Sequence, residues 1–148
     1  SEEATKKENI NPLARLVSYA ISGVPNDIMG EGPIPATEVA LKKAGLKLKD
    51  IDVIESNEAF AAQALAVQKG LELDSSITNV NGGAIALGHP VGATGAVLIT
   101  KALYELKRIK GKYALATMCI GGGQGITTIF ENVECTGTKC YFLLLEIF

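Results

Sequence analysis

Apolar residues three or four positions apart recur in two long windows of the chain. Over residues 60–71, Phe60, Ala64, Val67 and Leu71 share one face of a predicted helix. Over residues 93–109, Ile99, Ala102, Leu103 and Leu106 form an apolar stripe against Lys101, Glu105 and Lys107, the pattern of a helix with one dry and one wet side. A third helix opens at Pro35-Ala36-Thr37 and runs to Lys43, with Val39 and Ala40 or Ala44 inward and Gly45 as its stop. Between the helices lie short runs of apolar and β-favouring residues, at 13–21 (LARLVSYAI), 52–56 (DVIES), 77–81, 113–120 and 126–130, which read as strands. The linker GGGQG between the last two suits an antiparallel hairpin. Residues 25–35 read as loop, because three prolines and two glycines punctuate them, and residues 1–9 as an exposed helix end.

The order is strand, helix, strand, helix, strand, helix, strand, strand. Such alternation predicts an α/β fold, a five-stranded mixed sheet covered by helices in a layered α-β-α arrangement. The 148 residues suffice for one domain with a real core. That domain is expected over 1–133, with 134–148 (ECTGTKCYFLLLEIF) an unassigned tail.

Composition narrows the function classes. A formal charge of −2 and a pI near 5.4 give no electrostatic footprint for nucleic acid. The apolar run at 141–148 is too short to span a bilayer and contains Glu146. Cys119, Cys135 and Cys140 are spaced for neither a disulfide framework nor a zinc site. The polar start SEEATKKEN does not resemble a signal peptide. A soluble, cytoplasmic protein acting on neither nucleic acid nor membrane is the expectation.

One stretch stands apart. Residues 79–96 (NVNGGAIALGHPVGATGA) hold five glycines and the sole histidine, His89. Glycine weakens a helix or strand by roughly 0.5–1 kcal/mol per site relative to alanine, so an irregular loop carrying His89 is the better reading. Three chemically distinctive residues then lie at or beyond the ends of three predicted strands: Asn57 after 52–56, His89 after 77–81 by way of the loop, and Cys119 near the end of 113–120. In open α/β sheets the ligand crevice lies outside the carboxyl ends of the strands, where the three could converge. Each has a plainer reading: Asn57 as a helix N-cap, His89 as a structural hydrogen-bonder, Cys119 as a small buried hydrophobe. Gly121, Gly122 and Gly123 shift the balance, because they clear side chains from beside the sulfur and leave amides able to face a developing oxyanion. A phosphate cradle fits less well, since no Lys-Ser/Thr ending follows and GGGQG leads into a strand. A cysteine-protease dyad also fits less well, because Cys119 is not at a helix N-terminus.

Asn57-Glu58-Ala59-Phe60-Ala61, the run from Asn81 through His89-Pro90 to Gly95, and Cys119-Ile120-Gly121-Gly122-Gly123 together resemble the C-terminal half of a thiolase, with the nearest likeness to acetyl-CoA acetyltransferases. Met29-Gly30-Glu31-Gly32-Pro33 is similar to the loop that opens that half. The resemblance implies thiolytic cleavage of a 3-ketoacyl-CoA, or the reverse joining of two acetyl-CoA molecules. It implies that His89 activates a nucleophilic cysteine and that Cys119 exchanges the methyl proton of the second acetyl-CoA. Asn57 would place a water in one oxyanion hole, and the Gly121 amide would serve another. Met29, Ala59 and Phe60 would line the pantetheine and acyl pocket. It further implies coenzyme A as substrate without a permanently bound cofactor or metal, a missing N-terminal half that holds the acylated cysteine, and a homo-oligomer. A non-catalytic assembly module and a 3-ketoacyl-CoA thiolase of broader chain length stand as alternatives. A ketoacyl synthase fits poorly with one histidine, and a lipid-transfer thiolase fits poorly with Asn57-Glu58-Ala59-Phe60.

Overall fold

The computed structural model describes residues 1–133; the tail at 134–148, with Cys135 and Cys140, lies outside the described residues. A short helix α1 (Glu2–Lys7) precedes strand β1 (Ala14–Gly23), and helix α2 (Pro33–Ala44) leads to strand β2 (Val53–Ser56). Helix α3 (Ala61–Leu71), one turn of helix α4 (Ala84–Leu87) and the long α5 (Thr94–Ile109) follow, then β3 (Tyr113–Ile120) and β4 (Gln124–Asn132). The strand order is β1-β4-β3-β2, with β4 antiparallel to both neighbours and β2 parallel to β3.

The sheet of the described residues therefore has four strands and not five. The expected strand at 77–81 survives as a single parallel bridge, Ile54 to Thr78. Beyond it, Asn79 enters the left-handed region (φ 50°) and its side-chain amide takes both backbone groups of Ser56, at 2.9 and 2.8 Å. The side chain replaces the next rung of the ladder, so the strand stops there.

Alternate residues of β2 and β3 face opposite layers. Ile54 and Leu115 join Ala40 and Leu41 of α2 and Val67 of α3 in the larger core, while Val53 and Ala114 meet Ala102 and Leu106 of α5 in the smaller one. Helices α2 and α3 thus cover one face and α5 the other. Pro33 and Pro35 both fall in the first turn of α2, where the helix has no use for their missing amide protons, so it begins two residues before the expected start. The preceding loop is also more ordered than expected, a 3-10 turn at Asn26–Glu31. Val39, expected inward, is on the exposed side, whereas Ala40 is fully buried.

Helix α2 lies close on β4. A Cβ at Gly125 would stand 2.0 Å from the Gly32 carbonyl carbon, so backbone meets backbone where α2 enters the sheet. One turn further along, three buried hydroxyls join the layers: Thr127 Oγ1 lies 2.9 Å from Thr37 Oγ1 and 2.7 Å from Thr117 Oγ1. Thr127→Val keeps the shape and leaves Thr37 and Thr117 short of a partner. It should cost about 1–3 kcal/mol, read as a lower urea midpoint at unchanged slope.

Candidate active site

The parallel register Ser56–Thr117 brings the carboxyl ends of β2 and β3 side by side. The Asn57 amide N–H donates to the Thr117 carbonyl at 2.9 Å, two residues before Cys119. Asn57 is not the cap of α3. That position is held by Phe60, which makes no side-chain cap bond. The Asn57 side chain is 1% exposed, and neither its oxygen nor its nitrogen has a hydrogen-bond partner among the described residues. A buried amide left unpaired costs about 1–3 kcal/mol, so its retention calls for a bound water or ligand group.

The glycine loop is tied to this strand end by a polar web. Asn79 Nδ2 donates to Glu58 Oε1 at 3.0 Å, and Glu58 Oε2 accepts the Ile85 amide at 3.0 Å. The Glu58 carboxylate occupies the space a side chain at Gly83 would need, 2.1 Å from its Cβ position, so a larger residue there would push the carboxylate out of these bonds. From below, Lys101 Nζ donates to Glu55 Oε2 at 2.7 Å and to the Gly82 carbonyl. Asn81 Nδ2 donates to Glu105 Oε2 at 2.9 Å, where Arg108 also binds. Lys101 and Glu105, expected on the wet side of α5, are instead largely buried parts of this web, and Leu98 joins Ala102 and Leu106 in the dry stripe.

The carboxylates feel this web in opposite ways. Burial pushes Glu55 above the ordinary carboxylate value, with Lys101 pulling against it. Hydrogen bonds from Arg108 and Asn81 lower Glu105 to about 2.

His89 sits past α4 on the exposed rim, and its Nδ1 lies 2.7 Å from Thr94 Oγ1 at the first residue of α5. The next residue, Gly95, abuts Met118: a Cβ there would be 3.4 Å from the Met118 methyl, one residue before Cys119. Cys119 is half-buried near the end of β3, and burial pushes its thiol up, so it keeps its proton at neutral pH. Gly121 follows in the hairpin turn, and no described residue lies within 4 Å of where its Cβ would be. Met29 is in the 3-10 turn, and Ala59 and Phe60 lead into α3. Phe60, expected to pack inward with the α3 stripe, is 71% exposed.

Gln63 escapes the apolar spacing altogether. It is buried on α3, both its amide atoms lack partners among the described residues, and its Cγ lies 2.7 Å from where a Gly30 Cβ would be, beside Met29. No group of three or more His, Cys, Asp or Glu among the described residues could hold a metal, and no described helix is long and apolar enough to cross a membrane.

The ends of the neighbouring strands β2 and β3 therefore carry an unpaired buried amide and a thiol, and the rim after α4 carries an imidazole. Residues 10–132 match the family model "Thiolase, C-terminal domain". The chain is 60% identical to beta-ketothiolase BktB of Cupriavidus necator over 86% of its length, and 60% identical to rat mitochondrial 3-ketoacyl-CoA thiolase over 89%. It is 55% identical to the acetyl-CoA acetyltransferase of Escherichia coli over 90%. These regions make up 32%, 33% and 34% of the three relatives, so the chain spans about a third of their length. The crystal structure of human mitochondrial 3-ketoacyl-CoA thiolase in complex with CoA superposes with a TM-score of 0.88 at 58% identity, covering 90% of this chain and 34% of that one. The chain belongs to the thiolase family of acyltransferases, as its C-terminal domain.

Proposed function

We propose that this chain forms one wall of a composite acyl-CoA site, completed by a preceding thiolase portion that carries the nucleophilic cysteine. The single observation that carries the reading is the buried Asn57 side chain, which finds no partner among the described residues. Gly121 supports the same reading, because the space beside it is open among the described residues and would let a ligand come close to its amide.

In the condensing direction, His89 takes the thiol proton of the partner's cysteine, whose sulfur attacks acetyl-CoA, and passes that proton to the CoA thiolate as it leaves. A second acetyl-CoA then binds along Met29, Ala59 and Phe60. Cys119 loses its thiol proton to solvent, and the thiolate then takes a proton from the methyl group of that acetyl-CoA. The resulting enolate attacks the acetyl-enzyme, the partner's cysteine leaves as a thiolate that regains a proton from solvent, and acetoacetyl-CoA is formed. Thiolysis runs the same steps backwards, with Cys119 returning the proton. The Asn57 amide holds the water that, with His89, faces one oxyanion, and the Gly121 amide faces the other. Donors placed where charge develops contribute most inside a site that excludes water. Coenzyme A is substrate here, with no permanently bound cofactor.

The roles of the two cysteines are separable. When this chain is paired with a separately produced N-terminal thiolase portion and given acetyl-CoA, intact-mass analysis should find the acetyl group on the partner and none on this chain. Stable acetylation of Cys119 would overturn the assignment.

Two other readings have support of their own. The identity is slightly higher to thiolases named for 3-ketoacyl-CoA than to the acetyltransferases, which favours longer acyl chains; relative turnover of acetoacetyl-CoA and a longer 3-ketoacyl-CoA decides. Exposed Phe60, Ile85, Leu87 and Val91 favour an assembly role, and association with the N-terminal portion without turnover would support it. A second copy of the chain is the partner expected beyond that portion.

A further inference from the structure

Thr94 opens α5 and is 3% exposed, so its hydroxyl depends on protein partners. Two are in reach: the Pro90 carbonyl oxygen at 2.9 Å and His89 Nδ1 at 2.7 Å. The same carbonyl accepts the Ala93 and Thr94 amides at 2.7 and 2.9 Å, which fixes the turn on which the hydroxyl sits.

A hydroxyl has one proton to give and two lone pairs to accept with, and a neutral imidazole has one donor and one acceptor nitrogen. When the Thr94 proton goes to Pro90, Oγ1 is left as an acceptor and Nδ1 has to be the donor. Both nitrogens then have defined roles: Nδ1–H points at Thr94 and the Nε2 lone pair faces outward from the exposed rim. The reverse arrangement, with the hydroxyl donating to Nδ1, puts the proton on Nε2 and leaves the outward nitrogen without a free lone pair.

We infer that Thr94 is a positioning residue that locks His89 in the Nδ1–H tautomer and presents Nε2 as the base. The use of that base rests on the function proposed above, but the tautomer does not. Thr94 itself acts only through the imidazole.

The sole histidine makes the test direct. A long-range proton–nitrogen correlation spectrum of the labelled 148-residue chain is recorded at about pH 8, above the ordinary imidazole range near 6.5. It should show Nδ1 at a pyrrole-type shift and Nε2 at a pyridine-type shift. Thr94→Val should exchange the two patterns, because it removes the acceptor while filling the same space. Thr94→Ser, which restores the hydroxyl, should return the wild-type pattern. An Nε2–H pattern in the wild-type chain, or a wild-type pattern persisting in Thr94→Val, would overturn the inference. The wild-type spectrum alone decides should the valine variant not fold. If the Nδ1–H tautomer is present and His89→Ala leaves turnover of the assembled enzyme unchanged, the catalytic reading fails while the Thr94 assignment stands.

Discussion

Lys101→Met is expected to destabilise the chain by about 3–5 kcal/mol at neutral pH, the cost of stripping a buried charge of its partner. Glu55 is fully buried and Lys101 is its cation, with a side chain 18% exposed. Methionine fills the same space, so the loss reports the orphaned carboxylate and the freed Gly82 carbonyl, not a cavity. The double change Glu55→Leu with Lys101→Met should recover most of the stability, because a well-packed apolar pair replaces a buried ion pair at little net cost.

The pH dependence of the single variant has a definite sign. A carboxyl whose folded-state pKa is raised contributes stability below its ordinary value of 4.5 and loses it as pH rises through the folded value. Lys101→Met should therefore recover stability as pH falls from 7 toward 4.5. Glu105 works in the opposite direction. Lowered to about 2, it contributes stability above 4.5 and loses it as pH falls toward 2, so the recovery is read between pH 5 and 7. Chemical unfolding across that window measures the recovery without the Glu105 contribution changing. A Lys101→Met loss that does not shrink on acidification would mean that Glu55 is not the group responsible.

Cys119→Ala should lower condensation and thiolysis in the assembled enzyme by about 10²–10⁴-fold, the usual contribution of a positioned acid or base. Acetylation of the partner's cysteine should survive, since on this account Cys119 acts only on the second substrate. His89→Ala should slow both steps, because His89 serves the nucleophile and an oxyanion hole alike. Burst measurement of CoA release, compared with steady-state turnover, separates the two. Equal loss of both steps in Cys119→Ala would place its thiol in the first half-reaction.

Much of this architecture is legible in the sequence. The apolar spacing of α5, the stop at Gly45 and the GGGQG hairpin follow from local rules, and two of the motifs locate the strand ends that carry Asn57 and Cys119, while His89 lies on the turn between α4 and α5. What escapes is long-range. The stripe on α5 marks Lys101 and Glu105 as solvent-facing, because no helical pattern shows that a buried carboxylate 46 positions earlier claims the lysine. Helical spacing groups Phe60 with Val67 but does not say whether this chain provides anything for Phe60 to pack on. Strand 77–81 reads correctly by composition and fails because one asparagine side chain closes the ladder after a single bridge. Asn57 was ambiguous for the converse reason. Its sequence context fits a cap, and only the fold shows its amide buried and unpaired.

The central claim is that this chain holds the histidine and the acid/base thiol of a thiolase site without its nucleophile. The most direct measurement is CoA-dependent cleavage of acetoacetyl-CoA by the purified 148-residue chain, alone and paired with a separately produced N-terminal thiolase portion. The account predicts no turnover above background alone, restored turnover on pairing, and renewed loss with His89→Ala. Turnover by the chain alone, or paired turnover indifferent to His89→Ala, would contradict it.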